Sequence, residues 1–114
     1  MLDQPTAGSK LSRREMEELN SWGLVKDYRK YRPVLVNLAK DIYIAAGQVF
    51  ADQPTQDQVY QLYRSTLPEA NAFKDIVTRV LNRKQYMPPS LYQHFANLLA
   101  KYVLEKDWEE ISNQ

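Results

Sequence analysis

The longest apolar stretch with helical spacing runs from Pro33 to Phe50, and it constrains the fold more than any other feature. On a 3.6-residue wheel Val34, Leu35, Leu38, Ile42, Ala45, Ala46 and Val49 form one arc, which Ala39, Tyr43 and Phe50 widen to roughly 200°. A single neighbouring helix cannot cover an arc that wide, so this segment is expected to be a central helix packed on at least two sides. Its polar strip holds Asn37, Lys40, Asp41 and Gln48, with Ile44 in the middle. An isoleucine on a wet face is either a scattered surface hydrophobe or the centre of a contact with another protein.

The flanking segments also read as helices. Ser12 and Glu15 have the spacing of a capping box, and Leu11 and Met16 that of a hydrophobic staple, so a first helix should begin at Arg13. Gly23 is placed to end it in a left-handed conformation. Leu24, Tyr28, Tyr31 and Leu35 continue the helical period into the central stripe, but Pro33 lacks a backbone donor and disfavours helix at Arg32. A break before Pro33 is therefore expected. Ala51-Asp52-Gln53-Pro54 is turn chemistry, and Thr55 with Gln58 forms a second capping box. The helix it opens carries Val59, Leu62, Tyr63 and Thr66 inward. Pro68 suits the first position of a fourth helix, with Phe73, Ile76, Val77, Val80 and Leu81 as its stripe. After Met87-Pro88-Pro89 a last helix should run from about Ser90 to Ile111, with Leu91, Phe95, Leu98, Leu99, Tyr102 and Val103 facing the core.

No segment alternates apolar and polar residues as a half-buried strand would. The expected fold is all-α, a single compact bundle of about five helices over residues 12–112, with residues 1–11 as a flexible arm. At 114 residues such a domain can bury a core without staples. The absence of cysteine excludes disulfides and thiolate chemistry, and suggests an intracellular, reducing compartment such as the cytoplasm or an organelle matrix. Met1-Leu2-Asp3-Gln4-Pro5 lacks the basic-then-apolar order of a secretory signal, and no run of apolar residues is long enough to span a membrane. The net charge of +1 gives no whole-molecule attraction to nucleic acid or lipid, so any electrostatic binding must be local.

Catalytic chemistry has little support. His94 is the only histidine and falls at the edge of a core stripe, where a hydrogen-bonded structural role is expected. No Gly-x-Ser-x-Gly elbow, calcium loop or phosphate-binding glycine motif occurs, so no catalytic residue, metal site or cofactor is expected. Glu15, Glu17 and Glu18 complement a helix N-terminus, whereas Glu105, Asp107, Glu109 and Glu110 lie near a C-terminus as a solvated tail. Two basic groups stand out: Lys26, Arg29 and Lys30 on the outer face of one helix, and Arg79 and Arg83 with Lys74 and Lys84 in the fourth segment. Basic side chains beside aromatics are what nucleic-acid surfaces use. Trp108 projects opposite the core stripe, in line with Leu104 and Lys101, so an exposed Leu104/Trp108 pair would resemble a binding anchor.

Two family resemblances accompany this reading. Leu62-Tyr63-Arg64 resembles the tripeptide of the mitochondrial LYR proteins, helical accessory and assembly factors, although in that family it opens the first helix and here it stands at mid-chain. The order Ile44-Ala45-Ala46-Gly47, Leu67-Pro68-Glu69, then Met87-Pro88-Pro89 before an acidic-ended helix resembles the matrix-side helical subunit of the cytochrome bc1 complex. The Gly-Leu-x-x-Asp-Asp segment of that subunit is missing. Both resemblances imply a non-catalytic helical subunit. The expected function is thus a non-enzymatic protein-interaction module, an adaptor, regulator or accessory subunit that binds another protein through Ile44, Leu104 and Trp108. The alternative is a nucleic-acid-binding protein using Lys26, Arg29, Lys30, Arg79 and Arg83.

Overall fold

The computed structural model describes residues 8–50, 52–81 and 89–113. Five α-helices follow in order: α1 (Arg13–Ser21), α2 (Leu24–Val49), α3 (Gln56–Thr66), α4 (Asn71–Ile76) and α5 (Pro89–Ser112). A 3-10 turn at Leu67–Glu69 leads into α4, and a π-helical turn at Val77–Leu81 follows it. No strand occurs among the described residues, and the fold is an all-α bundle.

Local chemistry sets the helix ends. The Ser12 hydroxyl accepts from the Glu15 N–H at 3.1 Å while the Ser12 N–H donates to the Glu15 carboxylate at 3.0 Å, which starts α1. Thr55 and Gln58 repeat the arrangement at 3.1 and 2.9 Å and start α3. Gly23, at φ +81°, takes the left-handed conformation that stops α1 and turns the chain into α2.

Pro33 does not break the chain. The helix runs without interruption from Leu24 to Val49, with the proline inside it. Both Arg29 and Pro33 are exposed, so the Arg29 carbonyl that has no N–H partner at Pro33 faces the solvent side, where water can serve it. The segment before the proline is also fastened to α5: the Tyr28 hydroxyl donates to Asp107 at 2.6 Å and Arg32 Nε at 2.9 Å. These ties, with the burial of Leu24 and Tyr28, hold helical a segment that local preference would have ended. Pro68 likewise falls in the 3-10 turn, and α4 begins only at Asn71.

The two long helices share the centre. α2 touches every other α-helix and buries Leu35, Val36, Ala39, Ile42 and Ala46. Its arc is narrower than the wheel implies, because Val34, Val49 and Phe50 are exposed. α5 packs against α1, α2 and α3, and every side chain from Leu98 to Leu104 is buried. Leu91, expected in the core, is exposed instead, one turn before the stripe closes at Phe95. Of the stripe in the fourth segment, Phe73, Ile76 and Val77 are buried, while the side chains of Val80 and Leu81 lie outside the described residues.

Aromatic edges join the layers: Trp22 and Phe73 pack on Phe95 with ring centroids 4.8 and 5.4 Å apart, and Tyr28 meets Tyr102 at 4.8 Å. Tyr63 is fully enclosed, and its hydroxyl donates to the Leu35 carbonyl at 2.8 Å. No buried side-chain nitrogen or oxygen among the described residues lacks a hydrogen-bond partner. Near its end α5 bends at Asp107, whose backbone leaves the helical region at φ −124° and ψ 23°. The Leu104 carbonyl just before the bend accepts a hydrogen bond from the Gln56 amide at 2.7 Å.

Candidate functional site

Ile44 stands where the sequence places it, on the outward face of α2 among Asn37, Asp41 and Gln48, with 52% of its surface exposed. Val34 is equally exposed, about 15 Å away along the axis. Val49 and Phe50 add exposed apolar surface at the helix end. The outer face of α2 therefore carries separated apolar side chains between polar ones.

Leu104 does not belong to this surface. It is 0% exposed, because α5 is enclosed from three sides at that level and no direction from its axis leads to solvent. Trp108 is half-buried and packs edge-on against Tyr43 with ring centroids 5.7 Å apart. It follows directly on the bend at Asp107, whose ties to Tyr28 and Arg32 draw this turn against α2. The expected Leu104/Trp108 pair thus has one member in the core and the other resting on α2.

Of the basic residues, Lys26, Arg29 and Lys30 are exposed on consecutive turns of α2. Arg79 is exposed and its Nε donates to Asp75 at 3.0 Å, an i, i+4 pair that shares its charge. Arg83 and Lys84 lie outside the described residues.

The charged groups that sequence reasoning left on the surface prove more informative. Lys101 is only 3% exposed, with its ammonium 2.9 Å from the Glu15 carboxylate and 5.7 Å from the centre of the Tyr60 ring. Burial by itself would raise the Glu15 carboxyl, but the hydrogen bonds from Lys101 and Ser12 and the Lys101 charge outweigh it and hold the group below the usual carboxylate range. One clue to Lys101 was present: from Leu98 to Leu104 the chain is apolar on every side of the helix apart from this lysine. A segment apolar all round is surrounded, and its one cation must then be paired.

His94 lies 2.8 Å from the Glu18 carboxylate and meets the Trp22 ring edge-on at 6.2 Å. This dyad links α5 to α1, and the Ser21 hydroxyl donates to the Glu18 carbonyl at 2.7 Å. Residues before α1 are tied down too. The Ser9 N–H and hydroxyl both donate to one Asp57 oxygen at 2.9 Å, which lowers the Asp57 carboxyl, and the Leu11 N–H donates to Glu105 at 3.2 Å. Residues 1–7, the rest of the expected arm, lie outside the described residues. At the far end Asp107 binds Tyr28 and Arg32, and Glu110 pairs with Arg32 and, at 3.5 Å, with Lys40. Burial first, then the bond to Asp107, pushes the Tyr28 hydroxyl far above the ordinary phenol range. Among the described residues no three His, Cys, Asp or Glu side chains converge to hold a metal.

The Leu62-Tyr63-Arg64 tripeptide sits in the second half of α3, with Tyr63 in the core and Arg64 over the Tyr60 ring at 5.7 Å. No family model, curated protein or solved structure matches the chain. No helix among the described residues is long and apolar enough to cross a membrane.

Proposed function

We propose that the chain is a non-enzymatic helical module that binds another protein, as an adaptor, regulator or accessory subunit, through the outward face of α2. Ile44 carries this reading. It is a large β-branched side chain, more than half exposed, on the polar strip of the longest helix, where a purely solvated face would hold a polar residue. Beneath it, no buried side-chain nitrogen or oxygen among the described residues lacks a hydrogen-bond partner, so the face rests on a satisfied core. Affinity capture from the native source with wild-type and Ile44→Glu chains tests it. A partner held by the wild type and released by the variant, at unchanged helicity, is expected. Recovery of the same proteins by both chains refutes the assignment.

A second reading, nucleic-acid binding through Lys26, Arg29, Lys30, Arg79 and Arg83, draws on the three exposed cations that share one face of α2 at i, i+3 and i+4. It requires an affinity that falls with salt at a logarithmic slope of about 0.7 to 0.9 per phosphate contacted. A gel shift showing no complex at low salt disposes of it.

A further inference from the structure

α1 differs from the rest of the bundle in how it is held. At 9 residues it is too short to be helical alone, and Leu19 is its only fully buried residue. It lies between α2 and α5 and is joined to α2 through the left-handed Gly23, where a side chain would meet nothing within 4 Å. Besides Leu19 and the apolar contacts that Leu11, Met16 and Trp22 make with the core, its attachment is polar and comes from one side of α5. His94, Lys101 and Glu105, spaced two turns and then one turn apart, bind Glu18, Glu15 and the backbone N–H of Leu11.

Lys101 is the telling member of that set. In a permanently closed core an apolar side chain of similar length would serve as well or better, because withdrawing two charges from water consumes most of what their pairing returns. In a groove that is uncovered part of the time, water can take the place of the Glu15 carboxylate at the ammonium, and the site favours a helix that brings a carboxylate to the same place.

We propose that the groove between α2 and α5 is a helix-docking site, that α1 is its built-in occupant, and that its external partner is an amphipathic acidic helix of the pattern Glu-x-x-Glu-Leu-x-x-Trp. That is the pattern α1 presents through Glu15, Glu18, Leu19 and Trp22. The glutamates meet Lys101 and His94, Leu19 is enclosed, and Trp22 packs on Phe95. The inference rests on the reading of the chain as an interaction module and adds a concealed surface to the open one on α2. α1 then acts as an autoinhibitory contact that leaves as a unit about Gly23.

The test uses the full-length chain and a fluorescent synthetic peptide with the sequence of residues 9–23. Glu15→Gln in the chain keeps the capping box, which accepts glutamine at that position, and removes the charge that Lys101 reads. The Glu15→Gln chain should bind the peptide about tenfold or more tightly than the wild type does. A peptide with glutamine at 15 alone should lose most of that binding, and a Lys101→Met chain should no longer distinguish the two peptides. Equal binding of the two peptides to the Glu15→Gln chain, or no saturable binding of the unsubstituted one, overturns the proposal.

Hydrogen exchange on the wild type gives a reading that needs no variant. The amides of α1 should exchange together and about tenfold or more faster than those of residues 98–104. A common rate for both would mean that α1 leaves only on global unfolding, which also overturns the proposal. Ile44 is exposed while α1 is docked, so it is outside the groove, and an Ile44→Glu chain should give the same peptide and exchange results. The two proposals therefore stand or fall separately.

Discussion

Leu104 and Ile44 allow one truncation to be compared at opposite extremes of burial, 0% and 52% exposed. Leu104→Ala deletes three carbons from the most enclosed stretch of α5, where the neighbouring helices cannot collapse without breaking the Lys101 and Gln56 contacts on either side. Such a deletion costs about 2 to 5 kcal/mol. For 114 residues the unfolding entropy is about 0.24 kcal mol⁻¹ K⁻¹, so Tm should fall by about 10 to 20 °C. Ile44→Ala removes carbons that already contact water and should change stability by no more than about 0.5 kcal/mol, or about 2 °C. Thermal melts followed by circular dichroism, with urea titrations to confirm an unchanged m-value, measure both. Similar shifts for the two variants would refute the burial argument. A Leu104→Ala chain that lost partner binding at unchanged Tm would return Leu104 to the surface.

Two further outcomes follow from the same structure. The Glu15 carboxyl is held below its ordinary value of 4.5, so its stabilisation is complete above that pH. On acidification the unfolded chain takes up the proton first, so the contribution is lost as pH falls through the folded value, and Glu15→Gln should flatten the acid limb of the Tm–pH curve. Parallel curves for the two chains would contradict this. Pro33→Ala restores the N–H missing from the interior of α2 at an exposed position and should raise stability by about 1 to 2 kcal/mol, roughly 4 to 8 °C, after allowing for the freer unfolded chain. A lower Tm would show that the proline stabilises α2 in a way the backbone account omits.

Much of the architecture was legible because helix ends are written in short-range chemistry. Ser12/Glu15, Thr55/Gln58 and Gly23 each set a boundary with residues no more than three apart, and all three act in the structure as the sequence reads. The errors arose where distant contacts overrule local ones. Pro33 reads as a break until Asp107, supplied from the other end of the chain, fastens the preceding turns. The wheel of the last helix places Leu104 and Lys101 away from the core because it assumes one covered stripe, whereas three helices close around α5. Conversely, Val34, Val49 and Phe50 share the wheel arc of α2 but extend past the elements that cover it. Periodicity tells which residues can be inside. It does not tell how many neighbours arrive, and so the outward Ile44 could be read directly while the enclosed Glu15–Lys101 pair could not.

The links from Tyr28 and Arg32 to Asp107 span 79 and 75 residues, and α5, which fills the centre, is made after every helix it packs against. A nascent chain therefore carries the apolar side of α2 uncovered on the side that α5 will fill, and closure waits on translation of α5.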